Sequence, residues 1–86
     1  SIIVVEVYRA YNARNAYKFY PGQDTLDGDM TQLTNLVDNV PELKRMCDAN
    51  PACKGFNTNG WMKSTISNPS NWVTFSSDPA KGLYVR

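Results

Sequence analysis

Residues 47 to 63 read CDANPACKGFNTNGWMK and hold both cysteines of the chain, one of its two tryptophans and three of its nine asparagines. Three kinds of chemistry compete for Cys47 and Cys53. A structural zinc site needs four ligands, and two cysteines in a chain without histidine supply half of them. A nucleophilic cysteine needs a general base, for which histidine is the usual side chain. The remaining reading is a disulfide that closes the seven-residue loop from Cys47 to Cys53 around Asn50-Pro51, worth about 2 to 3 kcal/mol in the loop-entropy model. Its alternative is a pair of buried free thiols in a cytosolic protein.

The residues that follow carry a different chemistry. Asn57, Thr58, Asn59, Trp61 and Lys63 place amides, a hydroxyl, an ammonium and an indole within seven positions. Amides pair with adjacent hydroxyls of a saccharide while an aromatic face covers the apolar side of the ring, so this is a candidate sugar- or peptide-binding set. The competing reading makes Asn59-Gly60 a hairpin turn and Trp61 a core residue. Trp72 is a second candidate. It stands beside the polar Asn68, Ser70 and Asn71, and alternation in NWVTF sends Trp72 and Thr74 to one face and Val73 and Phe75 to the other; its alternative is core packing. Asp24, Asp27 and Asp29 are candidate calcium ligands, although their order differs from the EF-hand pattern. Their alternative is an Asp- and Gly-rich turn whose carboxylates accept backbone N–H groups. A glycosidase acid–base pair drawn from them would lack a cleft to hold its substrate.

The elements that position these residues follow from pattern and punctuation. IIVVEVYR at Ile2 to Arg9 reads as a central strand, and AYKFY at Ala16 to Tyr20 as a short second one that stops at Pro21-Gly22. Residues 21 to 35 show neither period and are expected to be an irregular loop. One helix is expected over Pro41 to Ala49, capped by Asp38 or Asn39 and ended by Asn50-Pro51. Cys53 to Asn57, Trp61 to Ser64, Asn71 to Phe75 and Gly82 to Arg86 read as short strands in antiparallel hairpins.

Composition bounds the function. Eighty-six residues make one domain, 1–86, and 42% apolar against 20% charged residues favours a packed core over disorder. A net charge of +1 with no basic run beyond Lys44-Arg45 argues against a nucleic-acid partner. The longest apolar run, Ile2 to Val5, is far too short to insert in a membrane. The chain opens on Ser1 rather than methionine, as a processed chain or a fragment would. Asn68-Pro69-Ser70 has the proline that disqualifies it as an N-glycosylation sequon.

PELKRMC, DANPA, CKGFNTN and GWMKS, with FYPGQDTLDGD before them and GLYVR at the close, resemble the PAN/apple domain family across Tyr17 to Arg86. The resemblance implies an α+β fold, an antiparallel β-sheet packed around one short α-helix, with a core disulfide that ties helix to sheet and falls on Cys47 and Cys53. Members often carry a further cysteine near the position where this chain has Trp61 and Met62, so a divergent, single-disulfide branch is implied. The family's members are extracellular, non-catalytic modules that bind proteins or carbohydrates. The expectation is a secreted carbohydrate-binding module of lectin or adhesion type, without catalytic residues or cofactor. Its partner would be a glycan or cell-surface glycoprotein, and a homo-oligomer or tandem array would raise its avidity. Recognition of a protein through an exposed apolar patch is the alternative, with an enzyme inhibitor behind it.

Overall fold

The computed structural model describes residues 16–86, so the strand expected at Ile2 to Arg9 lies outside the described residues. In chain order the elements are β1 (Lys18–Pro21), β2 (Gln23–Asp24), β3 (Asp29–Gln32), a 3-10 turn (Thr34–Leu36), α1 (Val40–Asp48), β4 (Gly55–Asn57), β5 (Trp61–Lys63), a second 3-10 turn (Pro69–Asn71), β6 (Val73–Thr74) and β7 (Gly82–Val85). Five strands form an antiparallel sheet in the order β1-β7-β4-β5-β3, and β2 pairs with β6 in a separate ribbon. The molecule is a small α+β domain with one α-helix among the described residues.

Two expectations about the strands are corrected. Residues 21 to 35 are not a plain loop, because Asp29–Gln32 pairs with β5 and Gln23–Asp24 with β6. Both segments are short and largely polar, and β3 is exposed along its whole length as an edge strand, so neither carries the apolar alternation that marks a strand in sequence. Nor is the second half a run of hairpins. Only β4 and β5 are joined as one, while β7 lies between β1 and β4 and β6 joins β2. Leu83 has no exposed surface, which the centre of the sheet provides and an edge hairpin would not.

Register assigns each side chain to a face. Phe19 faces Tyr84, Tyr84 faces Phe56 and Phe56 faces Met62, and this row meets the helix. Phe56 stacks on Tyr84 with centroids 5.0 Å apart and receives the edge of Tyr17 at 5.5 Å, while Phe19 lies 4.6 Å from Tyr84. Leu43 and Cys47, four apart on α1, close the core over Phe56 and Met62. The helix begins where expected: Asn39 Oδ1 accepts the Glu42 N–H, and Val40 and Pro41 occupy its first turn. Cys47 and Cys53 form a disulfide, 2.04 Å between sulfurs, from the last turn of α1 to the approach of β4. Arg86 Nη1 donates to the carbonyls of Cys47 at 3.0 Å and Cys53 at 2.9 Å, so the end of the chain after β7 clamps both ends of the same loop.

Candidate functional site

The opposite, outer face of the sheet holds the residues singled out by their chemistry. Tyr20 faces Leu83, Leu83 faces Asn57, and Trp61 faces Gln32, so Tyr20–Leu83–Asn57–Trp61–Gln32 is one row across five strands. A parallel row carries Val85, Gly55, Lys63 and Asp29.

The β4–β5 connection is Thr58-Asn59-Gly60, a three-residue loop with Gly60 in the left-handed region at φ 90°. A side chain on Gly60 would strike the carbonyl of Leu33, the residue whose N–H donates to Gly60 O at 2.8 Å. Asn57 organises this loop from below: its Oδ1 accepts the N–H groups of Asn59 and Trp61, each at 3.1 Å, and its Nδ2 donates to Asp24 Oδ2 at 3.1 Å. Asn57 is buried, as is Thr58, whose Oγ1 accepts the Gly82 N–H at 3.1 Å.

Lys63 is 1% exposed and points its ammonium into the outer loops. It donates to the Thr25 carbonyl at 2.8 Å and to the Asp29 carboxylate, with Asp24 Oδ1 at 3.6 Å. A buried ammonium is tolerated only when paired and hydrogen-bonded in this way. The group between Asp24 and Asp29 is thus the protein's own cation, while Asp27 is exposed and apart from the pair. Among the described residues no group of three or more acidic or cysteine side chains is arranged to hold a metal.

Of the sequence-selected set, then, Asn57, Thr58 and Lys63 have their polar groups engaged inside the fold. Trp61, Asn59 and Trp72 are half-buried. Among the described residues the Trp61 indole N–H and the Asn59 side-chain amide have no hydrogen-bond partner, and no buried side-chain polar atom lacks one, so neither group is among the buried ones. Gln32, beside Trp61, is exposed and donates through Nε2 to the Asn59 carbonyl at 3.1 Å. Trp72 is anchored differently: Nε1 donates to the Ser67 carbonyl at 2.9 Å, and the ring meets the Tyr20 ring at 4.7 Å in an edge-to-face contact. Gln32 and Tyr20 were not visible as site residues in sequence, since their placement depends on strand register. The chemistry at the hairpin edge is an aromatic surface bordered by unengaged amide and indole groups, suited to a neutral polar ligand.

A concave feature lies on the helix side, between the C-terminal half of α1 and β3. It is a groove of ≈ 340 Å³ floored by Met62 and Cys53 and walled by Met30, Leu33, Met46 and Pro51. Met30 and Met46 are each 37% exposed at its rim.

Among known proteins, no family model and no solved structure matches the chain. Two curated proteins of Acanthamoeba polyphaga mimivirus do. "Putative fucosyltransferase R654" is 28% identical over 74 residues, 84% of this chain and 12% of that protein. "Putative glycosyltransferase R655" is 36% identical over 50 residues, 58% of this chain and 14% of that protein. The chain therefore spans about an eighth of the length of these relatives.

Proposed function

We propose that this chain is a PAN/apple-like, non-catalytic module of an extracellular or lumenal protein, and that it binds glycan through the β4–β5 hairpin edge formed by Trp61, Asn59 and Gln32. The observation that carries the reading is that, among the described residues, the half-buried Trp61 indole and Asn59 amide have no partner, where the neighbouring Asn57, Thr58 and Lys63 side chains are engaged inside the fold. The two similar proteins bear glycosyltransferase names and share only a module-sized part of their length with it, which supports a glycan-directed accessory role rather than the transfer reaction. Asp24 and Asp29, the carboxylates of the outer network among the described residues, share the Lys63 ammonium, which does not favour acid–base work there. A disulfide in so small a core supports an oxidising compartment.

A glycan array probed with the oxidised protein tests this. Expected are hits that free sugar competes away and that Trp61→Ala abolishes while the fold is retained; a blank array from folded protein, or hits indifferent to Trp61→Ala, contradicts it. The same array in chelator is expected to be unchanged, because Lys63 supplies the positive charge between Asp24 and Asp29.

The methionine-walled groove favours a second reading, recognition of an extended peptide that adds to the exposed edge of β3 and places an apolar side chain over Met62. Met46→Glu would weaken such a partner and leave sugar binding untouched.

A further inference from the structure

Two half-buried indoles are associated with strands on opposite halves of the sheet. Trp61 sits on β5, and Trp72 packs on Tyr20 of β1. The register that links Tyr20 to Leu83, Leu83 to Asn57, and Asn57 to the strand of Trp61 puts three strand spacings, about 14 Å, between Trp61 and the Tyr20 on which Trp72 packs.

The surface between them is covered, and the cover is mixed, with Gln23 and Thr74 beside the exposed Val73. The β2–β6 ribbon passes over it: Asp24 of β2 is tied to Asn57, and Gln23 Nε2 donates to Thr74 Oγ1 of β6 at 3.0 Å in an exposed pair. Leu83 is fully buried beneath this cover. A ligand reaching from one tryptophan to the other would therefore cross the amide of Gln23, the hydroxyl of Thr74 and the side chain of Val73, with an aromatic ring at each end.

We infer that the outer face is a track for a linear oligosaccharide rather than a pocket for one sugar, with Trp61 as its first platform and Trp72 as its distal one. The inference rests on the glycan-binding reading above. Aromatic platforms separated by a strip of mixed polarity suit a chain of pyranose rings, each with an apolar face and an equatorial belt of hydroxyls. Trp72 holds its ring by a hydrogen bond to Ser67 and by Tyr20, so its platform is preorganised and costs little ordering on binding.

The test is an NMR titration of the isotopically labelled protein with neutral gluco-, N-acetylgluco-, manno- and galacto-oligosaccharides of one to six residues. Monosaccharides of the recognised series are expected to shift Trp61 and Asn59 signals alone. Ligands of four or more residues are expected to shift Tyr20 and Trp72 as well, with affinity at least about tenfold higher than for the monosaccharide, which is about 1.4 kcal/mol. Trp72→Phe, which keeps a ring against Tyr20, should remove most of that tenfold gain and leave monosaccharide affinity unchanged. Shifts at Trp61 that never extend to Trp72 at any length overturn the track and leave the glycan reading standing. No shift at either tryptophan across all four series overturns both.

Discussion

Tyr17 shows how one side chain couples the helix to the sheet. Its ring meets Phe56, and its hydroxyl donates to Asp48 Oδ1 at 2.6 Å. Burial, then that hydrogen bond and the carboxylate's charge, push the phenol well above its ordinary value, with Arg86 opposing. The folded state therefore holds the proton more tightly than the unfolded chain. The stability this contributes is complete below about pH 10, where both states are protonated, and is lost as pH climbs toward the raised folded value. Tyr17→Phe is expected to lower stability near neutral pH by about 1 to 2 kcal/mol and to make the decline above pH 10 shallower. Denaturant unfolding from pH 7 to 11 reads both; an unchanged alkaline slope would show that Tyr17 does not set it. Lys63, a candidate ligand-binding residue in the sequence, has its ammonium engaged inside the fold, and only the register that puts it opposite Asp29 reveals that pair.

At the scale of elements, Lys63 is the latch of the outer face. One ammonium on β5 holds residue 25 and the carboxylates of residues 24 and 29, and Thr25 Oγ1 in turn bonds Ser67 Oγ at 2.6 Å. Asp24→Asn combined with Asp29→Asn leaves a buried cation without counter-charge, and should cost about 3 kcal/mol. Amide exchange should rise first in β3 and residues 24 to 29; exchange that rises evenly across the sheet would argue against a local latch. The helix, its cap and the β4–β5 hairpin were legible because caps, proline and glycine leave local marks, as Asn39, Pro41 and Gly60 do. The pairings of β3 and β6 were not, because strands of two to four polar residues acquire their identity from partners distant in sequence.

For the whole molecule, the disulfide and Arg86 hold the same loop from two directions. Replacing both Cys47 and Cys53 with Ser is expected to lower stability by about 2 kcal/mol, measurable by urea denaturation; no loss would mean that Arg86 and the core suffice. The staple was readable from two cysteines and the absence of histidine. The binding face was readable only in part, since the stretch 57–63 alternates between side chains buried in the network and side chains presented to solvent. That division gives the central claim its sharpest measurement: the indole N–H resonance of Trp61, followed while array-identified glycan is added. The account predicts a saturable shift there and at Asn59, with the Met30, Met46 and Met62 methyl signals still. Movement of those methyls with a silent Trp61 would place recognition in the groove and contradict it.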